Sequence, residues 1–276
     1  MSQSNHKTKA FTLIELLVVI SIISLLISVL LPALAMAKKT ANATQCMSKM
    51  RQMGQSLIVY SQDYRQSLPP GTASDAVVGA GNATNWMVLT LNTMGIGGVT
   101  FAQQAALKNP LALSFFADTD SIAPTASNGN PNHYSVHPRL MPDVSTYESS
   151  GGPFTGVRKP ARIDDVKNPS DLYMVYDGTQ IGGGNCASVG LGLDADRIYY
   201  STYLVWGVTG SPSDRARAGE NRDAASWGDT NVGEIRYRHM NNRRANTAFV
   251  DGHVAPLKYG GNNDTEIYRK NVNVRY

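Results

Sequence analysis

The clearest pattern of apolar and polar positions lies near the start of the chain. Phe11 to Leu31 reads FTLIELLVVISIISLLISVLL, broken only by Thr12, Glu15, Ser21, Ser24 and Ser28. Coiled as a helix, this run rises about 31 Å, the thickness of a bilayer's hydrocarbon core. Its apolar residues point to every side, which excludes an amphipathic surface helix. Pro32 follows and predicts a kink. From Ala33 to about Gln66 there is no Pro, and Ala, Met, Gln, Lys and Leu favour continued helix. Met47, Met50, Gly54, Leu57, Ser61 and Tyr64 recur at three- and four-residue steps. That stripe is expected to pack on the protein's own sheet. Leu68-Pro69-Pro70-Gly71 ends the helix.

The pattern after residue 71 is weaker. Residues 72–160 are loop-like, and Trp86–Leu89 and Leu111–Phe116 are too short for periodicity to separate helix from strand. Strand signals sharpen from Arg158. Leu172–Tyr176 is a short strand closed by Asp177-Gly178, and Ile198–Trp206 is another candidate. Glu234–Arg238 alternates, with Ile235 and Tyr237 on one face and Arg236 and Arg238 on the other. Asn246–Val250 runs into Asp251-Gly252, and His253–Leu257 returns, a strong hairpin signal. With Glu234–Arg238 these predict a C-terminal three-stranded antiparallel meander. The fold class is therefore α+β: a long N-terminal helix, transmembrane in its first half, packed on an antiparallel β-sheet head. The expected divisions are 11–31 (membrane half of the helix), 32–68 (helix on the head), 69–160 (loop-rich) and 161–276 (β head).

Charge sharpens this division. The 276 residues carry a formal +4. Residues 1–68 hold seven Lys/Arg against two acids, and residues 69–276 hold 18 against 19. The basic surplus is thus not a feature of the head, and a nucleic-acid partner is not expected. Two Cys exclude a disulfide framework and a four-cysteine zinc site. A Cys46–Cys186 bridge has no spacing logic behind it.

Glu15 is the anomaly of the apolar run. A carboxylate inside a membrane span costs roughly 2.5–3.5 kcal/mol, so it needs a partner or snorkels to the interface. Two processing schemes compete. In one, residues 1–31 act as an ordinary signal peptide cut after Ala35, and the product is an exported soluble binding protein. In the other, the cut precedes the apolar run and the span is retained.

Lys9-Ala10-Phe11-Thr12-Leu13-Ile14-Glu15-Leu16-Leu17-Val18-Val19-Ile20 resembles the prepilin cleavage and methylation signal of type IV pilins and type II secretion pseudopilins. The resemblance implies a leader of residues 1–10 and cleavage between Ala10 and Phe11 by a prepilin peptidase. It also implies N-methylation of Phe11 and an assembly role for Glu15. Ala10 departs from the usual Gly before the cut. Glu15 would neutralise the amine of a neighbouring subunit's Phe11, turning two charges that are costly in lipid into one pair. The partners implied are the peptidase, other pilin or pseudopilin subunits through the N-terminal helix, and the inner membrane, with the head exported to the periplasm or cell surface. Counting bases at the two ends of the span would give the opposite orientation, with Lys7 and Lys9 before it and Lys38, Lys39, Lys49 and Arg51 after.

The C-terminal part has a second resemblance. Many long pilin-like proteins with this N-terminal signal end in a His, nine residues, and Asp-Gly. Here eleven residues separate His239 from Asp251-Gly252, and the excess falls in the Asn241–Arg244 turn. His239, Asp251 and His253 are the residues on which a membrane-anchored enzyme would rest. Turn geometry already accounts for Asp251 and Gly252, and a structural role is expected for His239. The protein is read as non-enzymatic, without cofactor or metal. His133 and His137 have the four-residue spacing of a zinc helix, but Pro131 and Pro138 flank a piece expected to be strand. Asp177, Asp194 and Asp196, placed in loops, fit no calcium motif.

Overall fold

The computed structural model describes residues 12–73, 84–96, 115–120, 133–137, 140–142, 144, 159–180, 221–223 and 235–260. The chain divides into two compact units between Ala41 and Asn42. Helix α1, Leu13–Asp63, runs through Pro32 and through that division.

In the first unit no residue from Thr12 to Lys38 is buried. Large apolar side chains stand exposed along the run, from Leu13 through Leu17, Ile23 and Leu31 to Met36. This stretch is long and apolar enough to cross a membrane. Two of its three serines bond back to the helix: Ser21 Oγ donates to Leu17 O and Ser28 Oγ to Leu25 O, both at 2.7 Å. These two hydroxyls therefore need no water inside an apolar medium.

The second unit begins with the rest of α1. Cys46, Met50, Met53, Gly54, Ser56, Leu57 and Ser61 are its buried positions. The expected stripe is thus present with changes: Cys46 and Met53 join it, Met47 is only half-buried, and Tyr64 is exposed, stacked on Tyr60. Tyr64 leaves the stripe because the helix stops one residue before it. Arg65 and Gln66 are left-handed (φ 56° and 65°), and Gln66 N–H closes the end on Ser61 O at 2.7 Å.

Strands β1 (Thr72–Ala73) and β2 (Thr84–Asn85) form a small pair. Asn85 caps helix α2, Trp86–Thr93, by accepting from Val88 N–H at 3.0 Å, so the ambiguous Trp86–Leu89 run is helical. The main sheet has the order β3 (Tyr134–Val136), β4 (Tyr173–Asp177), β5 (Arg244–Phe249), β6 (Val254–Lys258), all antiparallel. Met50, Met53 and Leu57 of α1 share one apolar cluster with Trp86, Leu91, Met174, Val175 and Ala248. Each of these α1 side chains stabilises the unit by about 1.5–3 kcal/mol through burial. Tyr173, Tyr176, Ile235, Tyr237 and Phe249 form a second cluster. A register shift between Tyr173 and Val175 breaks strict alternation, which puts Met174 and Val175 together in the first cluster. Pro256 is tolerated because, among the described residues, β6 has no further strand beside it.

Two expectations are corrected. The hairpin of residues 246–257 forms, but the third strand of the meander is β4, not Glu234–Arg238. A strand has two edges; those of β5 are taken by β4 and β6, and among the described residues Ile235 meets the sheet through a bridge to Gly178. Asp177 is not in a loop: it ends β4 and is fully buried. Ile198–Trp206, Cys186, Asp194 and Asp196 lie outside the described residues.

The β5–β6 turn is built as Asp-Gly chemistry requires. Gly252 has φ +87°, and an added Cβ would sit 3.0 Å from Ile58 Cδ1 on α1. Gly252→Ala is therefore expected to destabilise the second unit by about 1–2 kcal/mol, from left-handed strain and displacement of Ile58. Urea denaturation checks this: a lower midpoint at unchanged slope is expected.

Candidate functional site

The residues singled out in the sequence fall in two places. The first is the N-terminus of α1. Thr12 N–H and Thr12 Oγ1 both donate to Glu15 Oε2 at 2.9 Å, and Glu15 N–H donates to Thr12 Oγ1 at 3.3 Å. This is a capping box: a Thr and a Glu three residues later satisfy the free amides of a helix start. The carboxylate also lies where the helix dipole favours negative charge. The spacing Thr-x-x-Glu was the available signal for it. Ala10 and Phe11 lie outside the described residues.

The second place is in the head, where His239 is fully buried. Its Nδ1 lies 2.9 Å from Asp120 Oδ2. Its Nε2 lies 3.1 Å from Asp177 Oδ2 and 3.4 Å from Asp118 Oδ2. The chain presents the ring from a tight reversal in which Met240, Asn241 and Asn242 are all left-handed. Arg243 N–H closes that reversal on His239 O at 3.0 Å. The residues around the ring come from distant elements. Cys46 of α1 donates its thiol to Asp118 Oδ1 at 3.2 Å. Asn42 of α1 donates to Asp120 Oδ1 at 2.7 Å. Asn246 N–H of β5 donates to Asp177 Oδ2 at 2.6 Å. Asp118 and Asp120 lie on one turn, where Asp120 N–H donates to Asp118 Oδ1 at 2.8 Å and Lys49 Nζ holds Ala117 O at 2.8 Å.

Arg238 completes the charge balance. Its Nε is 3.5 Å from Asp118 Oδ2, and its guanidinium also donates to Gly178 O and to Gln180 Oε1. Arg236 and Arg238, which the alternation puts opposite Ile235 and Tyr237, are both buried with partners, Arg236 on Asp223 and Asn221. Burial opposes the charge on His239, but the carboxylate of Asp177, then that of Asp118, outweighs it and pushes the imidazole up to about 12. Burial pushes the Asp177 carboxyl up, whereas for Asp118 the charges of Arg238 and His239 outweigh burial and hold it down. Burial raises the Cys46 thiol.

His239, Asp251 and His253 do not share a site. Asp251 and His253 are partly exposed in the β5–β6 turn, with His253 Nδ1 2.6 Å from Asp251 Oδ1 and the ring stacked on Phe249. His253 N–H donates to Asp251 Oδ1 at 3.0 Å, and Gly252 N–H to Phe249 O at 3.0 Å. These contacts are those of a turn. His133 and His137 flank β3, and each accepts a backbone amide on Nδ1, from Asp118 and from Leu140. Neither is part of a helix-type metal pair.

A long apolar N-terminal helix together with antiparallel sheets is an α+β arrangement consistent with a pilin-like fold. Residues 5–31 match the prokaryotic N-terminal methylation motif, which supports a type IV pilin-like protein carrying a prepilin-type signal and a transmembrane helix. No curated protein and no solved structure matches the chain.

Proposed function

We propose that the chain is a structural subunit of a type IV pilus-like filament or a type II secretion pseudopilus. Prepilin peptidase cuts between Ala10 and Phe11 and methylates Phe11. The subunit then waits in the inner membrane as a single-pass protein with an exported head, and is assembled with like subunits through its N-terminal helix. The observation that carries this reading is the methylation motif over residues 5–31, set on a helix whose apolar side chains are exposed all round. Such a surface is stable only in lipid or against other helices. Glu15 supports it: its carboxylate is already held at the helix start, where a neighbour's amine would meet it.

Mass spectrometry of the mature N-terminus tests the proposal. The expected result is a methylated Phe11. Met36 as first residue would mean signal-peptidase release of a soluble protein and would overturn it.

A further inference from the structure

We propose that Cys46, Asp118, Asp177 and His239 form a structural zinc site that fastens helix α1 to the head. Cysteine, histidine and carboxylate are the donor types zinc takes in tetrahedral sites. The ligand atoms of Cys46, Asp118 and His239 all lie within 4.8 Å of one another, and all three residues are buried. With bonds of about 2.0–2.3 Å, neighbouring ligand atoms of a tetrahedral zinc stand about 3.3–3.8 Å apart. Here Cys46 Sγ and Asp118 Oδ1 are 3.2 Å apart, and His239 Nε2 is 3.4 Å from Asp118 Oδ2 and 3.1 Å from Asp177 Oδ2. Asp118 faces Cys46 with one oxygen and His239 with the other, and Asp177 adjoins this group of three at His239 Nε2, so the groups must spread and Asp177 must turn in for the ion to be held by all four.

A second observation points to a ligand independently. His239 Nε2, Asp118 Oδ2 and Asp177 Oδ1 are buried and form no hydrogen bond among the described residues. Nε2 lies between two carboxylates at ion-pair distance, 3.1 Å from Asp177 Oδ2 and 3.4 Å from Asp118 Oδ2, and a metal ion would take the place of its proton among them. Unsatisfied buried groups of this kind are costly unless something coordinates them. The other ring nitrogen is already fixed as zinc histidines usually are, on a carboxylate: Asp120 Oδ2 at 2.9 Å, itself held by Asn42. Four protein ligands leave no open position, so the site is structural and not hydrolytic. Arg238, 3.5 Å from Asp118, offsets the surplus of acidic ligands. No two of the four ligands are close in sequence, so no spacing motif announces them.

Cobalt loading of the full-length protein in detergent is the test. After chelation, one equivalent of Co²⁺ should produce the intense visible bands of a tetrahedral site and a thiolate-to-cobalt charge-transfer band. Zinc should displace both, and elemental analysis should find one zinc per chain. Cys46→Ser should remove the charge-transfer band and Cys186→Ser should retain it. Asp120→Asn should keep the band while weakening zinc about 10–100-fold. Absence of tetrahedral bands in wild type, or a charge-transfer band that survives Cys46→Ser, overturns the proposal. If the Cys46 variant does not fold, the wild-type melting temperature decides: zinc should raise it above that of the chelated protein, and an unchanged value overturns the site.

Discussion

His239→Ala is expected to lower the unfolding midpoint of the head by about 6–20 °C. The ring is fully buried and lies within 2.9–3.4 Å of three carboxylates, Asp120, Asp177 and Asp118. Removing it leaves these acids with one cation, Arg238, and with neutral donors only: the Cys46 thiol, the Asn42 side chain and the backbone amides of Asp120 and Asn246, too little for three buried or part-buried charges. Breaking a buried ion pair from one side costs about 3–5 kcal/mol. That is a large part of the roughly 5–15 kcal/mol by which domains are stable, and for a domain of about 200 residues it gives the stated shift. Thermal unfolding followed by circular dichroism measures it. In chelated, metal-free protein the double variant His239→Ala/Asp177→Ala should recover much of the loss, because the second change removes a stranded charge. A single variant that melts with wild type would show that the network does not hold the head together.

Glu15→Gln is expected to block assembly about as completely as Glu15→Ala, with the subunit still cleaved and still in the membrane. The comparison separates two roles of one carboxylate. Gln keeps the capping contacts, since its amide oxygen accepts from Thr12 as Glu15 does. Capping is worth about 1 kcal/mol. Gln cannot neutralise a neighbour's N-terminal amine. An unpaired charge in lipid costs roughly 2.5–3.5 kcal/mol, so subunit association should fall about 100-fold. Crosslinking of subunits in membranes reads this directly. If the Gln variant assembles like wild type while the Ala variant does not, the role of Glu15 is capping and the pairing hypothesis is wrong.

The two sites differ in how far the sequence exposes them. The capping box and the membrane span are local, so residues within one or two turns define them completely. The β5–β6 hairpin is legible for the same reason, since Gly252 between two apolar strands supplies the left-handed residue that the turn needs. The third strand of the meander was misassigned because alternation in Ile235–Arg238 describes side-chain polarity, whereas strand pairing is a competition for edges. The same alternation says which residues share a face with Arg238 but not what covers that face, which is the buried acid Asp118.

By itself, therefore, the sequence determined the anchoring helix, its processing signal and the turn chemistry of the head, because each rests on neighbours in the chain. Only the tertiary structure decided what His239 does. Its partners stand at positions 118, 120 and 177, and Cys46 and Arg238 hold Asp118 in turn, on elements that meet only in the folded head. No periodicity or spacing links them. Burial then does the rest: away from water these groups must satisfy one another or bind an ion, and that requirement exists only in the folded head.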